Sequence, residues 1–283
     1  MPDVQTADRH VTVDGLDIRY IEHGAGAAVI MLHGGSLGSS ADVYQRNLQP
    51  LVAGGLRVIA VDHPGYGLSD APTDYSAAAR AAFVLRFMDA LGIERAALVG
   101  HSIAGGLAVS LAFAHPERIS AVVVLGSGPL LPPLPDAKGQ PGNLRRDTDD
   151  SHVHEPTLEE TRKNLEAMLF HRELITPSEL VLYHSRSTGK CFEASLLRRK
   201  HSKGPATDAT LWQRLSELPV PLLMIYGAQD RANAGARARY LKTVQPGLDL
   251  HIIENCKHLV QWDAADEFHR LARPFLEISL PPV

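Results

Sequence analysis

A serine between small residues carries the strongest chemical signal in the sequence. Ser102 lies between Gly100 and Ala104, directly after an apolar run at 96–99 and before a stretch of helical periodicity. Small residues at these positions let a chain turn sharply from strand to helix, so the hydroxyl projects above a sheet and the first helical amides face it. The alternative is a serine that caps an ordinary core helix. The strand pattern before Ser102 and the helix pattern after it favour a nucleophile.

A nucleophilic serine needs a general base, because its hydroxyl is not ionised at neutral pH. Among 14 histidines, His258 is the candidate, since it follows the last apolar run, 248–253, in a short loop before the final helix. Asp230 follows the preceding strand pattern and can hold the imidazole in one tautomer. The earlier position for an acid, after the run at 121–125, offers no carboxylate. The chain order serine, aspartate, histidine therefore predicts a catalytic triad.

A second group of candidates follows the strand pattern that ends at residue 32. In the string His-Gly-Gly-Ser at 33–36, the backbone amide of Gly35 can pair with that of Ile103 to bind an oxyanion. His33 is predicted to be a structural hydrogen-bonding residue and not a base. His101, next to the nucleophile, either lines the pocket or is a packed core histidine. Asp62, in a string rich in turn residues, is expected to cap a tight turn.

Alternating strand and helix patterns must position these residues. Apolar runs typical of strands occur at 16–22, 27–32, 57–61, 96–99, 121–125, 222–226 and 248–253, the first of them an expected edge strand. Helical periodicity occurs at 43–52, 77–91, 104–114, 234–243 and from 264 to about Arg273, where Pro274 is expected to end the helix. This alternation predicts an α/β fold with a mostly parallel, doubly wound sheet.

The alternation stops between about residues 129 and 218. A stretch rich in proline and glycine leads there into helical pattern without buried-strand runs. The sequence therefore predicts a core formed by 1–128 and 219–283, with a helical cap at 129–218 inserted into it. The proline-rich start of the cap, 130–135, should be a hinge or rim loop, because proline removes backbone donors. The charge run Arg198-Arg199-Lys200 is predicted to be a solvated helix face.

The overall composition is that of a compact globular protein that acts on small molecules. Of 283 residues, 45% are hydrophobic and 21% are charged, and the formal net charge is −4. No basic stripe with interleaved aromatic residues occurs, so nucleic acid is not an expected partner. No cluster of histidine, cysteine and aspartate has metal-ligand spacing, so a metal is not expected.

Cysteine usage and apolar runs indicate the compartment. Cys191 and Cys256 are the two cysteines and lie far apart in sequence, so a disulfide framework is not expected and a reducing compartment is. The N-terminal residues lack the apolar core of a signal peptide, and no apolar run is long enough to span a bilayer. Cytoplasmic residence without a membrane partner is the resulting prediction.

With these motifs in place, the chain resembles the α/β-hydrolase superfamily over its whole length. It more narrowly resembles the meta-cleavage product hydrolases, which split carbon-carbon bonds in ring-fission dienoates. The narrower resemblance rests on the following strings: Met31-Leu32-His33-Gly34-Gly35 with Arg46-Asn47 downstream, 62–70, 256–262 with 266–268, and Leu174-Ile175-Thr176-Pro177.

The resemblance implies a serine-dependent, cofactor-free hydrolase for a 2-hydroxy-6-oxo-hexa-2,4-dienoate type of substrate. Ser102, deprotonated by His258, would attack the carbonyl carbon after ketonisation of the dienol, and the carbon leaving group would depart as a dienolate. Members of this family commonly form dimers or larger assemblies, so the resemblance also implies a homodimer or larger homo-oligomer. Two other functions remain open, a carboxylesterase or lactonase with the same triad, and a hydrolase-fold receptor that binds a ligand without turnover.

Departures from the family pattern concern the substrate more than the chemistry. The family usually has asparagine at the position of His101, tryptophan at that of Leu259 and a bulky apolar residue at that of Ala232. A cap arginine that contacts substrate in the family aligns with Tyr183 or His184. The residues expected to contact the substrate are Gly34, Ser36, His101, Phe170, Tyr183, His184 and Leu259.

Overall fold

A single twisted sheet organises the computed structural model, which describes residues 8–52, 55–135, 154–201 and 208–280. The strands of this described part are β1 (Arg9–Val13), β2 (Leu16–His23), β3 (Ala27–Leu32), β4 (Leu56–Val61), β5 (Ala96–His101), β6 (Ile119–Leu125), β7 (Leu222–Gly227) and β8 (Asp249–Ile253). Their order is β1-β2-β4-β3-β5-β6-β7-β8. β1 and β2 pair antiparallel, β2 pairs antiparallel with β4, and all later pairings are parallel. The predicted mostly parallel, doubly wound sheet is confirmed.

Helices cover both faces of the sheet. The helices are α1 (Gln45–Val52), α2 (Ala77–Ala90), α3 (Ile103–Ala114), α4 (Leu158–Met168), α5 (Pro177–Ser185), α6 (Lys190–His201), α7 (Ala234–Val244), α8 (Val260–Asp263) and α9 (Ala265–Ser279). One apolar cluster joins the sheet to α2, α3 and α7, and a second joins its other face to α1, α8 and α9. Both faces of the central strands are therefore buried, which explains their continuous apolar sequences.

Two expectations about element boundaries were wrong. The edge strand is β1 and not β2, because Asp14 and Gly15 both adopt positive φ, 51° and 82°, and form a tight hairpin turn of the kind that such a pair favours. The last helix does not end before Pro274 but continues to Ser279. Pro274 lies on the exposed side of this helix, while Leu276 on the opposite side is fully buried, so apolar packing holds the helix together past the proline.

The insertion between β6 and β7 carries α4, α5 and α6, while 136–153 and 202–207 of the predicted cap lie outside the described residues. α4 and α5 each begin with a capping box, Thr157 with Glu160 and Thr176 with Glu179. Apolar residues of α4 and α5 join the same cluster as α1, α8 and α9. The insertion therefore packs on the core through a shared apolar interior.

Helix α6 packs on the turn that follows β4. Asp62, fully buried at the end of β4, accepts hydrogen bonds from the amides of Leu68 (2.8 Å) and Ala41 (2.6 Å), so it does cap a turn as predicted. Arg198 contradicts the predicted solvated face, because its Nη1 donates to the Gly65 carbonyl at 2.7 Å and its guanidinium lies 3.7 Å from the centroid of the Tyr66 ring. The aromatic face and the carbonyl draw this one arginine of the run inward.

Within the described ranges, no helix is long and apolar enough to cross a bilayer.

Candidate active site

The turn from β5 into α3 holds Ser102 in a conformation that few residues adopt. Its φ is 56° and its ψ is −122°, and its amide donates to the Leu125 carbonyl at 2.8 Å. A Cβ on Gly100 would lie 2.4 Å from the Ala104 carbonyl oxygen, so only glycine fits where the strand and helix meet. Positive φ at a non-glycine residue stores strain, and such strain concentrates at functional sites. The predicted sharp turn around the serine is therefore present.

The three residues of the predicted triad form one hydrogen-bonded chain. Nε2 of His258 lies 3.1 Å from Oγ of Ser102, and Nδ1 lies 3.0 Å from Oδ2 and 3.1 Å from Oδ1 of Asp230. Asp230 and His258 are buried, whereas Ser102 is half-buried. A carboxylate at Nδ1 holds the proton there and leaves the lone pair of Nε2 facing the hydroxyl. This arrangement can remove a proton from Ser102.

Short contacts between two loops keep Asp230 beside His258. A Cβ on Gly227 would lie 2.1 Å from the Lys257 carbonyl oxygen, so the end of β7 and the histidine loop approach closely only because this residue is glycine. The Gln229 amide donates to the Cys256 carbonyl at 3.0 Å, and the Cys256 amide returns a bond to Oε1 of Gln229 at 3.1 Å. These reciprocal bonds fix the separation of acid and base.

The histidine loop is also bonded to the insertion. The Met168 carbonyl at the end of α4 accepts hydrogen bonds from the amides of His258 (3.0 Å) and Leu259 (3.3 Å). The buried Asp263 carboxylate accepts bonds from the amides of Lys257 (2.7 Å), Phe170 (2.8 Å) and His171 (2.9 Å). One carbonyl and one carboxylate thus join the catalytic loop to the segment that follows α4.

The predicted oxyanion site has the required neighbours. A Cβ on Gly34 would meet the Ser102 Cβ at 3.1 Å, and one on Gly35 would meet Cγ2 of Ile103 at 3.3 Å, so the two loops lie against each other. Across the described residues, neither the Gly35 amide nor the Ile103 amide donates to another protein group. The Tyr66 hydroxyl donates to the Gly35 carbonyl at 3.1 Å and orients this loop. Two unused amides beside a nucleophile are the arrangement that stabilises a tetrahedral oxyanion.

Two buried histidines flank the site in uncharged form. Nε2 of His33 accepts a bond from the His63 amide at 3.0 Å while its Nδ1 donates to the Gly34 carbonyl at 2.7 Å, so His33 is structural, as predicted. Burial lowers the pKa of His33 to about 4. Nε2 of His101 donates to the His258 carbonyl at 3.0 Å. Burial, together with His258 nearby, lowers the pKa of His101 well below its usual value. His101 thus supports the base as a neutral ring.

The remaining predicted contact residues differ in their burial and in the groups that they contact. Leu259 is buried in the apolar cluster that the insertion shares with the core. The buried Tyr183 ring lies against Gly38, and burial raises the pKa of its hydroxyl to about 12. Nδ1 of His184 bonds to Oγ1 of Thr161 within the insertion, 2.9 Å away. Phe170 is half-exposed and stacks edge-on with its neighbouring histidine. Of these four, Leu259 directly follows the triad histidine in the chain.

A cavity lies between α1 and α5, and no residue of the triad lines it. It is lined by Ser40, Asp42, Val43, Gln45, Arg46, Glu179, Leu182, Tyr183 and Trp262. Tyr183 is the one predicted contact residue in this lining.

Sequence reasoning gave no role to Arg231, whose Nη2 lies 3.2 Å from Nε2 of His258. The signal available in the sequence was its position directly after the acid, Asp230. Met168 was missed for a different reason, because its contribution is a backbone carbonyl that no side-chain pattern reveals.

Comparison with known proteins agrees with this site. A family described as the alpha/beta hydrolase fold matches residues 27–265. The chain belongs to the α/β-hydrolase family. This hydrolase is 33% identical, over 96% of both chains, to a protein of Burkholderia cepacia named 2-hydroxy-6-oxo-6-phenylhexa-2,4-dienoate hydrolase. It is 31% identical, over 93% of its own length and 92% of the relative's, to a 2-hydroxy-6-oxononadienedioate/2-hydroxy-6-oxononatrienedioate hydrolase of Pseudomonas putida.

Solved structures lead to the same family. The hydrolase superposes on a meta-cleavage product hydrolase from Pseudomonas fluorescens IP01 with a TM-score of 0.79 and 25% identity, covering 96% of this chain and 98% of that one. The α/β-hydrolase fold and the resemblance to meta-cleavage product hydrolases, both predicted from the sequence, are confirmed.

Proposed function

We propose that this hydrolase cleaves a carbon-carbon bond in a 2-hydroxy-6-oxo-hexa-2,4-dienoate type of ring-fission product, with Ser102 as nucleophile, His258 as base and Asp230 as orienting acid. The observation that carries the proposal is the continuous hydrogen-bonded chain from Asp230 through His258 to Ser102 beside two unused amides. The names of the relatives supply the substrate class, since both contain a 2-hydroxy-6-oxo dienoate or trienoate unit.

The reaction begins after the dienol has converted to its keto tautomer. In this tautomer a saturated carbon lies next to the ketone. Ser102 gives its proton to Nε2 of His258, and its oxygen bonds to the ketone carbon. The new oxyanion receives hydrogen bonds from the amides of Gly35 and Ile103, which in sites of this kind are worth about 100- to 1,000-fold in rate each. Asp230 stabilises the imidazolium that forms.

Collapse of the tetrahedral intermediate breaks the bond between the ketone carbon and the neighbouring saturated carbon. The electron pair moves into the unsaturated keto acid, which departs as a dienolate and takes a proton from His258. Water, deprotonated by His258, then cleaves the acyl-enzyme at Ser102 and releases the second acid. The electron sink is the conjugated keto acid itself, so the proposed chemistry uses no cofactor.

A carboxylesterase or lactonase is the second candidate, and one observation favours it. Among the predicted cap-side residues, His184 uses its Nδ1 in a bond to Thr161 within the insertion, so that nitrogen does not serve to select a dienoate. The third possibility, a receptor without turnover, has less support, because a complete hydrogen-bonded triad is what catalysis requires and ligand binding does not require it. Cytoplasmic residence and a homodimer or larger assembly remain predictions from the sequence and the family resemblance.

The test follows the loss of dienoate absorbance when the purified protein meets a panel of ring-fission products. Ser102→Ala is expected to lower the rate by about a million-fold, as removal of a triad nucleophile does. Ser216→Ala, which removes an exposed hydroxyl far from the site, serves as the control and should retain full activity.

A 4-nitrophenyl ester is assayed beside the dienoates. Rapid dienoate loss that depends on Ser102 supports carbon-carbon cleavage. Ester turnover without dienoate loss would overturn the carbon-carbon proposal in favour of the esterase, and absence of both reactions would remove the enzyme assignment.

A further inference from the structure

The guanidinium of Arg231 lies at the catalytic imidazole without a carboxylate of its own. Its Nη2 is 3.2 Å from Nε2 of His258, and the residue is exposed. Within the described ranges, no aspartate or glutamate side chain forms an ion pair with it. The adjacent Asp230 accepts a bond from the Arg231 backbone amide at 2.6 Å, while its carboxylate faces His258. An unpaired cation therefore lies within two hydrogen-bond lengths of the nucleophilic oxygen.

The contact between Arg231 and His258 interferes with the role of His258 as general base. A neutral imidazole that donates from Nδ1 to Asp230 has a single lone pair, on Nε2. Both Oγ of Ser102, at 3.1 Å, and Nη2 of Arg231, at 3.2 Å, are directed at that lone pair. When Ser102 transfers its proton, a positive imidazolium forms beside the positive guanidinium, and like charges at this distance repel. Proton transfer thus favours a state in which the guanidinium has turned to an anion.

Other cations of the site region already have partners. Each of the following is bonded to a carboxylate or a carbonyl: Arg46 to Glu179, Arg186 to Asp42, Lys190 to the Leu68 carbonyl, Arg198 to the Gly65 carbonyl and Lys257 to the Glu166 carbonyl. The histidines near the nucleophile offer no charge in exchange, since burial lowers the pKa of His33 and of His101. Among these described cations, Arg231 is the one that a ligand can recruit without breaking a bond to a carboxylate or a carbonyl.

The backbone after Arg231 supports a dedicated position. Ala232 and Asn233 both adopt positive φ, 53° and 55°, directly before α7 begins. Two consecutive left-handed residues other than glycine are costly, and such strain is retained where it serves a site. The strained turn thus directly follows the residue whose guanidinium contacts His258.

We propose that Arg231 is the anion-binding residue of this site, and that its guanidinium leaves His258 to bind the carboxylate of the substrate. The identity of that carboxylate, the acid end of a dienoate, rests on the proposed function. Departure of the guanidinium frees Nε2 to accept the Ser102 proton, so an anionic substrate both anchors itself and releases the base. A neutral substrate gains neither advantage.

The experiment uses two esters of equal chain length, mono-4-nitrophenyl glutarate, which ends in a carboxylate, and neutral 4-nitrophenyl valerate. In Arg231→Gln, KM for the glutarate is expected to rise about 10- to 100-fold, the worth of a charge-assisted hydrogen bond. KM for the valerate should not rise, and its kcat should hold or increase because the competing donor is gone. Arg231→Lys should restore part of the loss for the glutarate. Arg273→Gln, which removes an exposed arginine paired with Glu277 on α9, is the matched control.

Two results of the ester assay would overturn the inference. An equal loss with both esters would mean that Arg231 only holds the triad together, and no loss with either would mean that it does not meet the substrate. These results are separate from failure of the proposed function, since a protein that cleaves no dienoate can still distinguish the two esters through Arg231. If Arg231→Gln cleaves dienoates as well as the parent protein does, the proposed function stands and the inference about Arg231 is wrong.

Discussion

Three buried histidines make the stability of this hydrolase depend on pH. Burial lowers the pKa of His33 to about 4 from an ordinary 6.5. It also lowers the pKa values of His63 and His101 well below the ordinary 6.5. Above pH 6.5 these histidines are neutral in both folded and unfolded chains, so stability is at its full value. Below it, the unfolded chain binds protons that the folded chain refuses, and stability falls.

We expect His63→Gln to flatten this dependence. Each buried histidine contributes a slope of up to about 1.4 kcal/mol per pH unit between the ordinary pKa and the folded one. The variant removes one such contribution with a side chain of similar size. Urea unfolding between pH 7.5 and 4.5 measures the slope, and His115→Gln, whose side chain is 41% exposed, is the control. Equal slopes for His63→Gln and the parent protein would contradict a buried neutral His63.

The individual site residues could be predicted where residue type and chain position act together. Ser102, Asp230 and His258 each follow an apolar strand run, so their place at one edge of a parallel sheet was deducible from order alone. Arg231 could not be assigned in the same way, because it contacts His258 from a loop next to two residues of positive φ, Ala232 and Asn233. Backbone conformation of that kind leaves no periodic pattern in a sequence.

At the scale of elements, the close approach of β5 and α3 sets the nucleophile. The Cβ that Gly100→Ala introduces would lie 2.4 Å from the Ala104 carbonyl and 2.8 Å from the Gly105 Cα, both backbone atoms of α3. Neither can move without shifting the helix, and displacement of a catalytic group by about 1 Å costs about 100-fold. We therefore expect kcat to fall by about that factor or the protein to fail to fold.

The control for Gly100→Ala is Gly247→Ala, where an added Cβ meets no atom within 4 Å and φ is not in the left-handed region. Turnover of a 4-nitrophenyl ester and the thermal midpoint are measured for both variants. A Gly100→Ala protein with parental kcat and midpoint would show that the strand and helix do not approach as described.

Element boundaries divide into those that composition reveals and those that packing decides. β3 and β6 are continuous apolar runs, so their positions were evident, whereas β1 has one buried residue in five and was missed. The helix α9 passes through Pro274 because Phe268, Ala272 and Leu276 form one fully buried stripe. The starts of α4 and α5 carried capping-box signals that could have located them.

For the whole molecule, the insertion and the core share one apolar interior. Leu165 and Met168 of α4 belong to the same cluster as Trp262 and as Leu276 of α9. A segment without a separate core cannot remain folded alone, so we expect a single cooperative unfolding transition.

Met168→Ala tests this cooperativity. Truncation of a buried methionine costs about 2 to 5 kcal/mol, and the midpoints reported by far-UV circular dichroism and by fluorescence of Trp212 and Trp262 should shift together in urea. Leu158→Ala, at a half-exposed position of the same helix, should change the midpoint little. Separate transitions for the two probes would show that the insertion unfolds independently.

The bonds between the Met168 carbonyl and the amides of His258 and Leu259 have a consequence for protein engineering. Grafting another enzyme's insertion onto this core is an obvious way to change its substrate range. Such a graft would remove the acceptor that holds the base in place, and it would leave Asp263 without the Phe170 and His171 amides that it binds. A successful chimera must therefore retain the end of α4 through residue 171, so the junction of the graft belongs after that point.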